Sequence, residues 1–285
     1  MGLTFLQIVL IILGAGVLIG LILLIYSYIE AGLLKVDIRD ITPKGAHDPS
    51  STVTIGFFSD SHGKYCHFKP EKVSSIFLEN KCDIVLFGGD CCLRKKVADT
   101  DKAMLTEVNS ALSSKNIPLY AIYGNHDLHL RKEEYSEMGA KLLYDSWEEI
   151  TIGDAKFALC GLSDSGRDNR VWPTIPQDFS DYPGFRLLLV HNPDFLYSLP
   201  DHTGKALSPF DYMLSGHLHG GQVHLPFSLE YRLLRCDKIV LAENILSGEF
   251  TFRGFSGFIS KGIGCGALPI RFRARPEIHI LRFHI

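Results

Sequence analysis

The opening stretch of this 285-residue chain has no charged side chain: residues 3–29 read LTFLQIVLIILGAGVLIGLILLIYSYI. At about 1.5 Å per residue such a helix reaches roughly 40 Å, more than the ~30 Å hydrocarbon core of a bilayer. An uncharged run of this length disfavours a buried core helix. A cleavable leader is disfavoured too, because no Lys or Arg precedes the run and no small-x-small site follows it cleanly. Charge of one sign is not in excess either, with Lys+Arg 29 and Asp+Glu 32. That excludes a surface built to hold a nucleic-acid backbone, and no nucleic-acid partner is expected. The cysteines (Cys66, Cys82, Cys91, Cys92, Cys160, Cys236 and Cys265) are odd in number and lack the spacing of a disulfide framework. They fit a reducing compartment. There is no Asn-x-Ser/Thr sequon, no phosphate-binding G-x-x-x-x-G-K-[ST], no H-E-x-x-H, no G-x-S-x-G and no paired C-x-x-C.

What remains is globular in composition, 46% apolar and 21% charged, with Gly 26 and Pro 13. The mean hydropathy of +0.10 is high for a soluble enzyme, and the first residues supply much of the excess. The chain therefore divides into an anchor over 1–30, a connector over 31–52 and one domain over 53–285. Tyr26 and Tyr28 suit the membrane interface. Lys35, Arg39 and Lys44 follow the apolar span and predict a single-pass protein of the cell membrane with its domain on the cytoplasmic side.

Within the domain, short apolar runs bounded by Gly, Pro, Asn or Asp predict strands at 53–59, 83–89, 118–124, 156–161, 185–191, 211–216, 255–260 and 277–283. Helices are expected over Pro70–Asn80 and Asp101–Asn116. The order begins as alternating β and α and then turns β-rich, an α/β pattern of stacked sheets with helices outside.

The informative residues follow the strands. They are Asp60-Ser61-His62, Gly89-Asp90, Gly124-Asn125-His126-Asp127, His191 and Gly216-His217-Leu218-His219. Crevices beyond the carboxyl ends of strands are where α/β sites form. Asp60, His62, Asp90, Asn125, His191, His217 and His219 are too many ligands for one tetrahedral ion. They suit two divalent metal ions with one shared ligand. Carboxylate, amide and imidazole without thiolate favour Mn²⁺, with Zn²⁺ or Fe as alternatives. Asp127 is expected either to orient the imidazole of His126 or to cap the next helix. Gly124 is expected to allow a sharp turn.

In these five blocks the chain resembles the calcineurin-like metallophosphoesterases over residues 53–285. Two longer stretches, GHLHGGQVHLP (216–226) and KGIGCGALPIRFRARPEIHIL (261–281), resemble a bacterial branch of membrane-associated phosphodiesterases. That branch includes UDP-diacylglucosamine hydrolases. The resemblance implies a two-sheet β-sandwich flanked by α-helices, with a dimetal site at one edge. It implies that Asp60, His62, Asp90 and His219 hold one metal, and Asp90, Asn125, His191 and His217 the other. His126 would stand near the leaving group. Cys91-Cys92 and Leu218 depart from the family's usual residues but remove no ligand.

The function this implies is a membrane-anchored phosphodiesterase. It would cleave a phosphoester or pyrophosphate bond, of a lipid-linked substrate, through a metal-bridging hydroxide. The alternatives are a phosphomonoesterase or protein phosphatase with the same site, or a non-catalytic membrane scaffold. Arg94-Lys95-Lys96, Arg167, Arg170, Arg271, Arg273 and Arg275 are candidates for phosphate recognition.

Overall fold

The computed structural model describes residues 3–43, 51–93, 98–164, 171–200, 208–235 and 237–285. The uncharged run forms helix α1, Phe5–Ala31, capped by Thr4 and Gln7 in a reciprocal box and ended at Gly32. It is apolar on every side and exposed almost throughout; only Ser27, Glu30 and Ala31 are buried. It is long and apolar enough to cross a membrane.

Two six-stranded sheets follow. The first runs β1 (Lys35–Ile41), β12 (Glu277–His284), β2 (Thr52–Phe58), β3 (Ile84–Phe87), β4 (Leu119–Ala121), β5 (Lys141–Leu142). The second runs β10 (Gly248–Phe252), β11 (Phe255–Ile259), β9 (Tyr212–Ser215), β8 (Phe185–Val190), β7 (Ala155–Leu162), β6 (Ser146–Ile152). Neighbours β2, β3 and β4 are parallel, as are β7, β8 and β9. Their carboxyl ends therefore point the same way within each sheet.

Alternation along the buried strands builds the layers. Phe57, Leu86, Leu187 and Leu189 fill the core shared by the two sheets. Phe58, Val85 and Phe87 turn outward to α2 (Pro70–Glu79) and α3 (Asp99–Ser113). Leu188 and Val190 turn to the opposite flank, with Phe179 of α5 (Gln177–Ser180) and Ile239 of α6 (Lys238–Glu243). A short α4, Lys132–Glu137, precedes β5.

All eight expected strands and both expected helices are present, with ends shifted by a few residues. The connector is corrected. Lys35–Ile41 is not a linker but edge strand β1, paired in parallel with β12 from Lys35–Glu277 to Ile41–Phe283. Its sequence hides this because Asp37, Arg39 and Asp40 interrupt the apolar pattern; Arg39 and Asp40 face water, as charges do on an edge strand, while Asp37 is buried.

Candidate active site

Five strand ends meet at one rim. Asp60 and His62 follow β2, Asp90 follows β3 and Asn125 and His126 follow β4, all from the first sheet. His191 follows β8, and His217 and His219 follow β9, from the second. The His191 Nδ1–H donates to the carbonyl of Gly88 at 2.7 Å and so ties one sheet to the other.

The backbone there is unusual. Asp60, His62, Asp90, His217 and His219 all have positive φ, between 48° and 72°. Left-handed backbone is costly for residues with a Cβ and persists only where surrounding structure imposes it. Close packing imposes it here. A Cβ on Gly124 would lie 2.1 Å from Asp90 Oδ1 and 2.5 Å from Asp90 N. Gly124 is thus required by the approach of Asp90, rather than by the turn expected of it.

Two clusters result. Asp60, His62 and His219 form one, and Asp90, His191 and His217 the other, each with ligand atoms within 4.8 Å of one another. The Nε2 atoms of His62 and His219 are 3.1 Å apart, and Nδ1 of His217 is 3.3 Å from Nε2 of His191. Asp90 stands between the clusters, with its Oδ2 3.2 Å from His191 Nε2 and 3.8 Å from His62 Nε2. Its Oδ1 accepts the His126 backbone N–H at 2.8 Å. Burial works against the charged form of Asp90, but the neighbouring His191, His62 and His126 more than offset it and hold the carboxyl well below the usual range.

The far nitrogen of three rings is occupied by groups that only accept. His62 Nδ1–H donates to the Cys92 carbonyl at 2.7 Å, His191 Nδ1–H to Gly88, and His217 Nε2–H to Asp237 Oδ1 at 3.1 Å. Each ring, in its neutral form, therefore turns a lone pair inward: Nε2 of His62, Nε2 of His191 and Nδ1 of His217. Asn125 Oδ1 is buried and has no hydrogen-bond partner among the described residues. A buried amide oxygen without a donor beside inward-facing imidazoles and carboxylates fits divalent cations.

The cavity over the clusters has a volume of about 780 Å³. His62, Asp90, Asn125, His126, His217 and His219 form its floor, and Leu93, Val223, Leu234, Leu268 and Ile270 contribute apolar walls. His126 is half-buried there, its ring edge-on to His62 with centroids 5.3 Å apart. Burial lowers its pKa, partly opposed by Asp90.

Asp127 takes neither expected role. Its carboxylate accepts the backbone N–H groups of Asp90 at 2.6 Å, Gly124 at 2.9 Å and Cys92 at 3.1 Å, and the Tyr135 hydroxyl at 3.0 Å. It is the internal brace of the ligand loops. Cys91 and Cys92 are wholly buried beside it, and the Cys91 thiol is kept protonated by burial. Arg271 is also buried, and donates to the carbonyls of Gly262, Gly264, His219 and Ala274. It holds the site's walls in place and has no free face for phosphate. Arg273 and Arg275 are exposed, while Arg94-Lys95-Lys96, Arg167 and Arg170 lie outside the described residues.

Two residues of the site were not expected. Asp237 orients His217, and Arg235 lines the cavity with its guanidinium on Asp237 and the carbonyls of His217 and Leu218. Neither sits in a motif. Each reaches the site from about twenty residues along the chain, and no local pattern marks it.

A family model described as calcineurin-like phosphoesterase matches residues 53–221, more than half of the chain. The chain belongs to the calcineurin-like phosphoesterases. As a member it is a metal-dependent hydrolase acting on phosphoester bonds. It is 26% identical to the uncharacterized metallophosphoesterase YkoQ of Bacillus subtilis, over 86% of this chain and 88% of that protein. Its identity to the phosphodiesterase YaeI of Escherichia coli is 29%, over 82% and 83% of the two chains. A shorter match, 35% identical over 36% of this chain and 31% of the relative, is to the UDP-2,3-diacylglucosamine pyrophosphatase LpxG of Chlamydia trachomatis.

Proposed function

We propose that this phosphoesterase is a membrane-anchored dimetal phosphodiesterase that cleaves a phosphoester or pyrophosphate bond in a lipid-linked substrate. The observation that carries the reading is the convergence of two ligand clusters on Asp90 at the floor of a cavity with apolar walls. In this reading Asp60, His62, Asp90 and His219 hold one divalent ion, and Asp90, Asn125, His191 and His217 hold the second. Two ions so held supply a hydroxide near neutral pH and neutralise charge growing on the phosphoryl oxygens.

The chain's own groups do the rest. Asp90 fixes the spacing of the clusters through Oδ2 and holds the His126 backbone through Oδ1. His126 is neutral in the resting site because burial depresses its pKa. A phosphate anion alongside would raise it, so that the ring takes up a proton from water and passes that proton to the departing oxygen. Arg235, largely buried in the cavity wall and paired with Asp237, adds positive charge near the phosphate.

The apolar walls and the exposed α1 support a lipid-linked substrate, and the relatives named phosphodiesterase and UDP-2,3-diacylglucosamine pyrophosphatase support diester-type chemistry. Lys35 and Arg39 after the span support a cytoplasmic domain. The test is turnover of bis-p-nitrophenyl phosphate against p-nitrophenyl phosphate by the Mn²⁺-loaded full chain, with Asp90→Asn beside it. Preference for the diester, lost together with bound metal in the variant, is expected. Hydrolysis of the monoester alone would overturn the reading.

A further inference from the structure

The last turn of α1 does not hang free of the catalytic domain. The Ser27 carbonyl accepts the Arg271 backbone N–H at 2.9 Å. Glu30, the sole acid of α1 and buried, accepts the N–H groups of Arg273 at 3.1 Å and Ala274 at 2.9 Å. Tyr26 meets Phe272 edge-on, and Arg275 Nε donates to the Leu33 carbonyl at 3.1 Å. The helix is thus clamped along segment 271–275, which fixes its direction relative to the cavity.

The other side of that segment carries the cavity wall. Phe272 N donates to the Gln222 carbonyl at 2.7 Å, and His224 N donates to the Phe272 carbonyl at 2.9 Å. The chain leaving His224 therefore starts one strand's width from the helix clamp. Phe227 follows three residues later, within about 11 Å of His224 even if the chain is fully extended.

This loop presents apolar side chains to open solvent. Phe227 is 85% exposed, Leu233 74%, Leu234 78% and, across the cavity mouth, Leu268 58%. Phe227 and Ser228 hold φ of 59° and 51°, an outlying conformation for a bulky aromatic. Leu233 and Leu234 sit on a π-helical turn, Tyr231–Arg235, whose two ends are fixed inward. The buried Tyr231 hydroxyl bonds the Leu218 carbonyl, and Arg235 bonds the carbonyls of His217 and Leu218. Between these posts Leu233 faces out and Leu234 stands exposed at the cavity rim.

The charge around the loop is one-sided. In residues 222–235 and 266–275 the only acid is Glu230, which is buried and paired with His224 at 2.7 Å, whereas Arg232, Arg273 and Arg275 are exposed. Apolar side chains framed by exposed cations match an anionic lipid surface.

We infer that Phe227, Leu233, Leu234 and Leu268 dock into the bilayer that α1 enters, so that the cavity opens at the lipid interface. This rests on the membrane-anchored reading. A lipid diester then reaches the floor without leaving the interface, and the clamp at Ser27 and Glu30 keeps the mouth facing the lipid.

The full chain carrying Phe227→Trp, and separately Leu233→Trp, is reconstituted in phosphatidylcholine–phosphatidylglycerol vesicles with brominated acyl chains. Flotation, indole emission and turnover of bis-p-nitrophenyl phosphate in detergent are measured. The expected result is flotation and unchanged diester turnover, with blue-shifted emission quenched about twofold more than that of the unsubstituted chain. Flotation with both new indoles unquenched overturns the docking and leaves the anchored reading standing. Failure to float overturns both. Blue-shifted but unquenched emission, with cross-links between copies, assigns the patch to a second copy and also overturns the docking.

Discussion

Asp237 Oδ1 lies 3.1 Å from His217 Nε2, and this contact decides which nitrogen of His217 faces the site. A carboxylate accepts, so the Nε2 proton stays on the ring and Nδ1 keeps its lone pair. Arg235 pairs with the other oxygen of Asp237 at 3.0 Å, and these partners outweigh burial to hold the acid in its charged form. Asp237→Asn is expected to lower metal affinity about 10–100-fold, as loss of such outer partners does. Titrating Mn²⁺ against diester turnover checks this, with activity returning at excess metal. An unchanged titration curve would show that the ring orients without Asp237.

His126→Ala keeps every expected ligand side chain. Two bound metals and a melting temperature near that of the parent are expected, with turnover of the diester reduced by roughly 10²–10⁴-fold. Full activity in this variant would remove His126 from the reaction.

Asp127 behaves differently. Asp127→Ala leaves three buried backbone N–H groups without their acceptor and the Tyr135 hydroxyl with only its long contact to the Ile122 carbonyl. Each unsatisfied buried donor costs about 1–3 kcal/mol, so a stability loss of about 3 kcal/mol or more is expected in chemical denaturation. A stable protein with only a shifted pH profile would instead restore the role of orienting His126.

The edge strand yields a prediction in pH. Asp37 on β1 is held well below the usual carboxylate value by the His279 ring 3.7 Å away and, against opposing burial, by Arg39 at 3.0 Å and Lys35 at 3.2 Å. A depressed folded pKa means that its stabilisation is present above the unfolded value of about 4 and fades as pH falls through the folded one. Asp37→Asn should therefore melt below the parent at pH 7, with the gap closing in acid. A gap that is constant with pH would place the effect in packing rather than in charge.

The sequence by itself determined a great deal here. The uncharged run holds no proline and stays helical through Gly14, Gly16 and Gly20. The candidate site was legible because each expected ligand follows an apolar strand within a few residues, so strand and candidate side chain travel together in the chain. Edge strands β1 and β6 carry charges on their exposed faces and read as connector or loop. Their pairing with β12 and β7 is decided by partners that complete the ladder.

Tertiary structure alone decided the rest. Asp127 braces loops from two strands, Asp237 reaches His217 across twenty residues, and buried Arg271 links the end of α1 to the carbonyl of His219. Five of the expected ligand residues take left-handed backbone, which no residue type among them requires and which close packing imposes. A strand and the residues that follow it are encoded locally, whereas the hydrogen bonds that aim a ring or bury a charge form only when distant segments meet.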